Sequence, residues 1–279
     1  MSTKIHKVAI VTGASSGIGE ITVLRLIDAG YKVYAGARRV ERMQSLASAG
    51  AVVKALDVTI AASIAEFVNA VVDAEGRIDV LVNNAGYGSY GAVEDIPLAE
   101  ARRQFDVNLF GLSEMTTATL PTMRAQRSGT VIHIGSIGGK MWSLLGGWYQ
   151  ASKYALEGLA DCTRNELRPF GINVVLIEPG GVKSEWRENV IEIVKNTSGN
   201  GPYKKLAEAA VKFFEGAESL EIEPTAIADV IVKASQSKRP KARYVVPVHF
   251  KLVLLLKVLL TDRMFDRLWC KFMGVPTSV

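Results

Sequence analysis

Cysteine is scarce in this 279-residue chain: Cys162 and Cys270 stand far apart and fit neither a metal-binding nor a disulfide spacing. A disulfide-stapled fold is therefore excluded, and a reducing compartment, the cytoplasm, is expected. The three histidines form no cluster, so no metal site is expected. His133 lies in an apolar strand pattern and reads as a core histidine. Strong charge of one sign is also missing, because 33 basic residues face 28 acidic ones for a net charge of +5. Basic and aromatic residues do not interleave, which argues against nucleic acid as a partner. Uninterrupted apolar runs are short. Val8–Val11 is too brief for a signal-peptide core, and the apolar tail is broken by Lys257, so no membrane span is expected. Repeats, linkers and low-complexity stretches are absent. With 48% hydrophobic residues, the chain suits one α/β domain over residues 1–279.

Apolar runs suited to doubly buried strands fall at Lys7–Val11, Lys32–Ala37, Ala51–Leu56, Ile78–Val82, Gly129–Ile134, Asn173–Ile177 and Arg243–Val246. Helical periodicity separates them at Glu20–Ala29, Arg39–Ser48, Ala61–Ala74, Leu98–Arg127, Trp148–Arg168 and Thr225–Ser237. Repeated β-α units imply a parallel sheet with helices on both faces. Two regions leave this alternation: an insertion at 184–220, with a turn-rich Asn196–Pro202, and a tail from 248 to 279.

The first strand runs into Thr12-Gly-Ala-Ser-Ser-Gly-Ile-Gly19 and then a helix. Glycines let a backbone approach a diphosphate, and a helix N-terminus favours its charge. Farther on, Tyr149 and Lys153 stand four apart, thirteen residues after Ser136. On a helix, that spacing puts phenol and ammonium on one face. A nearby cation lowers a phenol's pKa, so the pair is a candidate proton-transfer site with Ser136 holding the substrate oxygen. By itself a Tyr and a Lys four apart is common on solvated helices.

In order, Thr12–Gly19, Leu56-Asp-Val58, Asn83-Asn-Ala-Gly86, Asp106-Val-Asn108, Ser136, Tyr149-x3-Lys153 and Pro179-Gly-Gly-Val182 resemble the short-chain dehydrogenase/reductase family. The wider pattern is similar to its hydroxysteroid and retinol dehydrogenase-like branch. The resemblance implies a Rossmann-type doubly wound sheet of about seven strands, ordered 3-2-1-4-5-6-7. It implies a catalytic set of Asn108, Ser136, Tyr149 and Lys153. Asn108 would hold a proton-relay water, and Lys153 would lower the Tyr149 pKa and bind the nicotinamide ribose. The cofactor would lie on Gly13, Ser15, Ser16, Gly17, Ile18 and Gly19. Asp57 and Val58 would meet the adenine, and Asn84, Ala85 and Gly86 the adenosine ribose. Pro179, Gly180, Val182 and Ser184 would contact the nicotinamide end. A homodimer or homotetramer, through the helices at 98–127 and 148–168, is also implied.

An NAD site commonly has an acid at the end of the second strand, for the ribose 2′-hydroxyl. Here the strand ends Ala35-Gly-Ala-Arg-Arg39, and Arg38 and Arg39 suit a 2′-phosphate. NADP(H) is expected in preference to NAD(H). Trp142, Leu144, Leu145, Trp148 and Trp186 suggest an apolar pocket for a bulky ketone or alcohol: steroid-, retinoid- or acyl-like. A 3-ketoacyl thioester fits the same motifs, and so does an NADP(H)-binding regulator without turnover. In the tail, Lys257, Arg263, Arg267 and Lys271 gather broadly on one side at helical pitch. The tail can cover the pocket, meet a neighbouring subunit or rest on a membrane.

Overall fold

The computed structural model describes residues 6–275. Seven parallel strands form one sheet: β1 (Val8–Thr12), β2 (Lys32–Ala37), β3 (Val52–Ala55), β4 (Val80–Asn83), β5 (Gly129–Ile134), β6 (Ile172–Pro179) and β7 (Arg243–Val246). Their order is β3-β2-β1-β4-β5-β6-β7, as expected. Alternation along β1 explains the layering. Val8 and Ile10 enter one core and Ala9 and Val11 the other. The first core receives α3 (Ala61–Glu75), α5 (Leu112–Gln126) and α6 (Gly147–Leu167). The second receives α1 (Gly17–Asp28), α2 (Gln44–Ser48) and α9 (Pro224–Gln236). Strand order reverses between β1 and β4, which opens a crevice at the carboxyl ends of the strands.

The helix expected at Leu98–Arg127 is three pieces: α4 (Leu98–Phe105), a π turn over Asp106–Gly111, and α5. Single π turns are frequent at functional sites. The helix expected from Arg39 opens as a 3-10 turn, Val40–Met43. The insertion folds into α7 (Glu185–Ser198) and α8 (Lys204–Gly216). Asn196, Thr197 and Ser198 finish α7 rather than beginning a turn, because the Ser198 hydroxyl donates to Asp95 at 2.5 Å and accepts from the Ala92 amide at 2.9 Å. The tail is two helices, α10 (Phe250–Leu259) and α11 (Asp262–Phe272), broken where Leu260 turns extended. Helices α7, α8 and α11 build a third cluster, over the carboxyl ends of the strands, around Tyr90, Leu144, Leu145, Val190 and Phe214. Among the described residues, no helix is long and apolar enough to cross a membrane.

Candidate active site

The turn after β1 is specified by what a side chain would strike. Gly13 and Gly17 have φ of +64° and +56°, which glycine adopts without strain. A Cβ on Gly13 would stand 2.8 Å from the Ala85 Cα, and one on Gly19 would collide with the Gly13 carbonyl oxygen. Ser16 precedes α1 in extended conformation with no side-chain capping bond, and Ser15 and Ile18 are half-buried beside it. The first-turn amides of α1 consequently face the crevice without helical partners. Asn84 seals the turn from behind. Its side-chain amide donates to the Thr12 and Gly13 carbonyls at 3.0 and 3.1 Å. The backbone amides of Asn84 and Ala85 both donate to the Thr12 hydroxyl at 3.0 Å. Gly86 is exposed at the crevice edge.

Arg38 and Arg39 leave the end of β2 into solvent. Asp57 follows β3, and its carboxylate accepts from the Thr59 amide and hydroxyl at 2.9 and 2.7 Å. Burial works to raise its pKa, but the Thr59 bonds and the charges of Arg38 and Arg103 hold it below the usual range. Arg103 was not foreseen: it stands 5.6 Å over the Tyr87 ring. Val58 is buried, with its carbonyl against Gly111.

The catalytic candidates converge from three elements. Ser136 follows β5, and its hydroxyl accepts from the Gly138 amide at 3.0 Å. Tyr149 and Lys153 lie one turn apart on α6. The Lys153 ammonium is buried, donates to the Ile134 carbonyl at 2.8 Å and lies 5.8 Å from the Tyr149 ring centre. Burial brings its pKa down to about 8. The Tyr149 phenol answers to burial and to Ser136 here. Burial raises the phenol's pKa, a hydrogen bond with Ser136 pulls it back only in part, and Lys153 is turned toward the Ile134 carbonyl. Asn108 sits in the π turn, buried. Its side chain accepts from the Tyr87 amide at 3.0 Å and donates to the Tyr87 carbonyl at 2.9 Å and the Ser152 hydroxyl at 3.2 Å. His133 is a core residue: burial and the Lys153 charge depress its pKa to about 3, and its Nδ1 faces the Asn83 amide at 3.2 Å.

Behind this trio lies a buried charge cluster that no motif announced. Glu178, fully buried at the end of β6, stands 3.3 Å from Arg243 and 3.7 Å from Lys140. Glu157, one turn after Lys153, binds Lys140 at 2.7 Å and Arg243 at 2.9 Å. Both Glu178 oxygens lack a hydrogen-bond partner. Burial, and then the charge of Glu157, push its carboxyl well above the usual range against the pull of Lys140. The cluster ties together the segments that carry Ser136, Lys153 and Pro179.

At the far side, Pro179 is buried and Gly180 donates to the Val246 carbonyl at 2.8 Å. A Cβ on Gly180 would strike the Phe250 ring of α10. Val182 pairs with Ile222, and the Ser184 hydroxyl caps α7, accepting from the Trp186 amide at 3.3 Å. Trp186 lies 5.8 Å from Tyr149 and 5.5 Å from Tyr90, which itself lies 5.6 Å from Tyr149. Trp142 donates to Asp266 at 2.8 Å, and Trp269 donates to the Trp142 carbonyl at 3.0 Å, so α11 roofs this aromatic wall. Trp148 is not part of the wall. It packs on Phe105 and points its indole toward the Val93 carbonyl, because one residue along α6 is about 100° around the helix. Tyr90, Phe214 and Trp269 were missed in sequence: each comes from a segment without a motif. Among the described residues no group of acidic, histidine or cysteine side chains could hold a metal.

The family model described as short chain dehydrogenase matches residues 7–194. A probable short-chain type dehydrogenase/reductase, VdlC, of Helicobacter pylori is 37% identical over 261 residues, covering 94% of this chain and 96% of its own. A 3-ketodihydrosphingosine reductase of Bacteroides thetaiotaomicron is 35% identical over 237 residues, covering 85% and 86%. An NADPH-dependent 3-dehydrocapnine reductase of Ornithobacterium rhinotracheale is 33% identical over 279 residues, covering 94% and 96%. The crystal structure of a short-chain dehydrogenase from Streptomyces avermitilis superposes with a TM-score of 0.79 at 33% identity, covering 97% of this chain and 98% of the other. A metagenomic short-chain oxidoreductase in complex with NADP has a TM-score of 0.69 at 30% identity, covering 87% and 97%. These matches do not single out the hydroxysteroid and retinol branch. Sheet order, crevice and relatives agree: the chain belongs to the short-chain dehydrogenase family and is an NAD(P)-dependent oxidoreductase.

Proposed function

We propose that the protein uses NADP(H) to reduce the ketone of a bulky apolar substrate, with Tyr149 as the acid. The observation that carries this reading is the meeting of Ser136 and Tyr149 beside buried Lys153, in a fold whose first turn fits a dinucleotide. That fit rests on the unpartnered first-turn amides of α1 and on Gly13 and Gly19, which leave the backbone bare. When bound there, a dihydronicotinamide would supply the hydride for the carbonyl carbon. Ser136 orients the oxygen and stabilises its growing charge, while Tyr149 gives it a proton. Lys153, charged below about pH 8, stabilises the phenolate left behind. The π turn at Asn108 holds the water through which Lys153 replaces that proton. Thr12–Gly19 and Asn84–Gly86 hold the diphosphate and ribose, Asp57 and Val58 border the adenine, and Pro179, Gly180, Val182 and Ser184 border the nicotinamide.

Within the bulky class, a 3-oxo group on an acyl-like chain is favoured over a steroid or retinoid. The relatives named for a 3-keto and a 3-dehydro compound support this, as does the wall of Trp142, Trp186 and Tyr90. Arg38 and Arg39 support NADP(H). Exposed Phe110 and Tyr154, on the π turn and α6, support a homo-oligomer through those helices. Tyr149→Phe is expected to lower kcat by about 10³-fold or more while NADPH affinity stays within twofold. Near-normal turnover in that variant overturns the assignment. Arg38→Ala is expected to weaken NADPH about tenfold and NADH hardly at all, measured by fluorescence titration. Equal effects on the two cofactors contradict the NADP(H) preference.

A further inference from the structure

The tail is rich in exposed large hydrophobic side chains. Of the fifteen large exposed hydrophobic side chains among the described residues, eight lie between Val248 and Phe272. On α10 these are Leu252, Leu255, Val258 and Leu259, with Val258 81% exposed; no residue of that helix is buried. Exposed Lys251 shares this side at helical pitch, and an exposed apolar face of this kind marks an interaction site.

The arrangement on α11 says what the partner is. Its residues fall into stripes spaced by four. Phe265, Trp269 and Met273 turn inward to the aromatic cluster. Met264, Leu268 and Phe272 form an exposed apolar stripe, and beside it runs an exposed basic stripe of Arg263, Arg267 and Lys271. Lys257, which breaks the apolar run in sequence, does not join that basic stripe. It is half-buried with its ammonium 5.3 Å over the Phe265 ring, so the apolar face of α10 is not interrupted by it. Residues 248–275 hold five lysines and arginines against two acids, and one of those acids, Asp266, is engaged by Trp142. An apolar stripe beside a basic stripe is the composition of a helix lying in the plane of an anionic lipid surface. A second copy of the chain fits less well, since a two-fold pairing of this face would bring like-charged stripes together.

We infer that α10 and α11 dock the protein on the surface of an anionic bilayer. The α10 face and the Met264–Leu268–Phe272 stripe enter the acyl boundary, and Arg263, Arg267 and Lys271 meet lipid phosphates. Among the described residues no helix is long and apolar enough to cross that bilayer. The inner side of α11 roofs Trp142, so docking sets the roof of the aromatic wall against the lipid. A bilayer-dissolved ketone then enters beneath that roof; this last step alone rests on the proposed substrate class.

The test is flotation of the full chain with vesicles, without cofactor or ketone, so that its failure is separate from failure of the substrate reading. Vesicles of phosphatidylcholine with about a third phosphatidylglycerol are compared with pure phosphatidylcholine. Binding to the anionic vesicles is expected to be at least tenfold stronger, and to fall at least tenfold between low and high salt. Leu255→Glu with Leu259→Glu, and separately Arg263→Ser with Arg267→Ser and Lys271→Ser, are each expected to lose binding at least tenfold. Their melting temperature and NADPH affinity should remain those of the parent. If either variant misfolds, the lipid and salt dependence of the parent still decides. The inference is overturned by equal binding to both vesicle types, by no binding, or by folded variants that float like the parent. It is also overturned if the variants only dissociate an oligomer in sedimentation, which would make a second copy the occupant.

Discussion

The crevice of this molecule has two walls built on different principles. The cofactor wall is backbone: bare glycines, unpartnered amides and the Asn84 side chain that pins Thr12 and Gly13. The proposed substrate wall is large side chains: Tyr90, Trp142, Trp186 and Phe214, roofed by α11. A wall of backbone has one solution, because a single extra carbon meets a main-chain atom that cannot yield. A wall of side chains has many, because rings can repack with modest loss. On the proposed function, the contrast lets one wall suit a fixed dinucleotide and the other serve different ketones.

The contrast breaks most sharply at Gly19. Gly19→Val puts branched carbons onto the Gly13 carbonyl and the Asn84 amide, and NADPH affinity is expected to fall a hundredfold or more in a fluorescence titration. Retained affinity would mean the turn is softer than its contacts imply. On the other wall, Trp186→Ala is expected to leave NADPH affinity within twofold while raising KM for a bulky ketone about tenfold. It should also cost about 2 kcal/mol of stability by urea unfolding, because this indole is only half-buried. Equal losses of cofactor and ketone binding would merge the two walls into one unit.

The smallest effect probes what lies behind both. A carboxyl whose folded pKa is raised, as that of Glu178 is, stabilises the fold below its unfolded pKa, and that contribution is lost as pH climbs through the folded value. Glu178→Gln keeps the shape of the protonated form without the titration. Relative to the parent, the variant should gain on the order of 1 kcal/mol between pH 5 and pH 8 in urea titrations. A constant difference across that range would show that Lys140 and Arg243 already offset the burial of the charge.

What was legible in the sequence follows the same division. The seven strands could be read because a strand buried on both faces is a continuous apolar run, as Val8–Val11 and Val80–Val82 are. Tyr149 and Lys153 could be read because they are neighbours on one helix. The π turn was not legible, since Asp106–Gly111 continues the periodicity on either side of it. Nor was the aromatic wall, whose members come from segments more than a hundred residues apart, as Trp142 and Trp269 do. The charge cluster was hidden for the same reason: Lys140, Glu157, Glu178 and Arg243 meet only after β6 and β7 pair. Trp148 misled because composition alone does not say which way an indole points from its helix.

The Phe250 ring against Gly180, and Trp269 against Trp142, also fix an order of assembly. A ribosome releases the cofactor wall well before it makes residues 250–275, and chains fold N-terminal parts first during synthesis. Until then the segments that form the dinucleotide turn and the Tyr149–Lys153 helix exist without the segment that roofs them. Completion of the substrate side waits until residues 250–275 have been made.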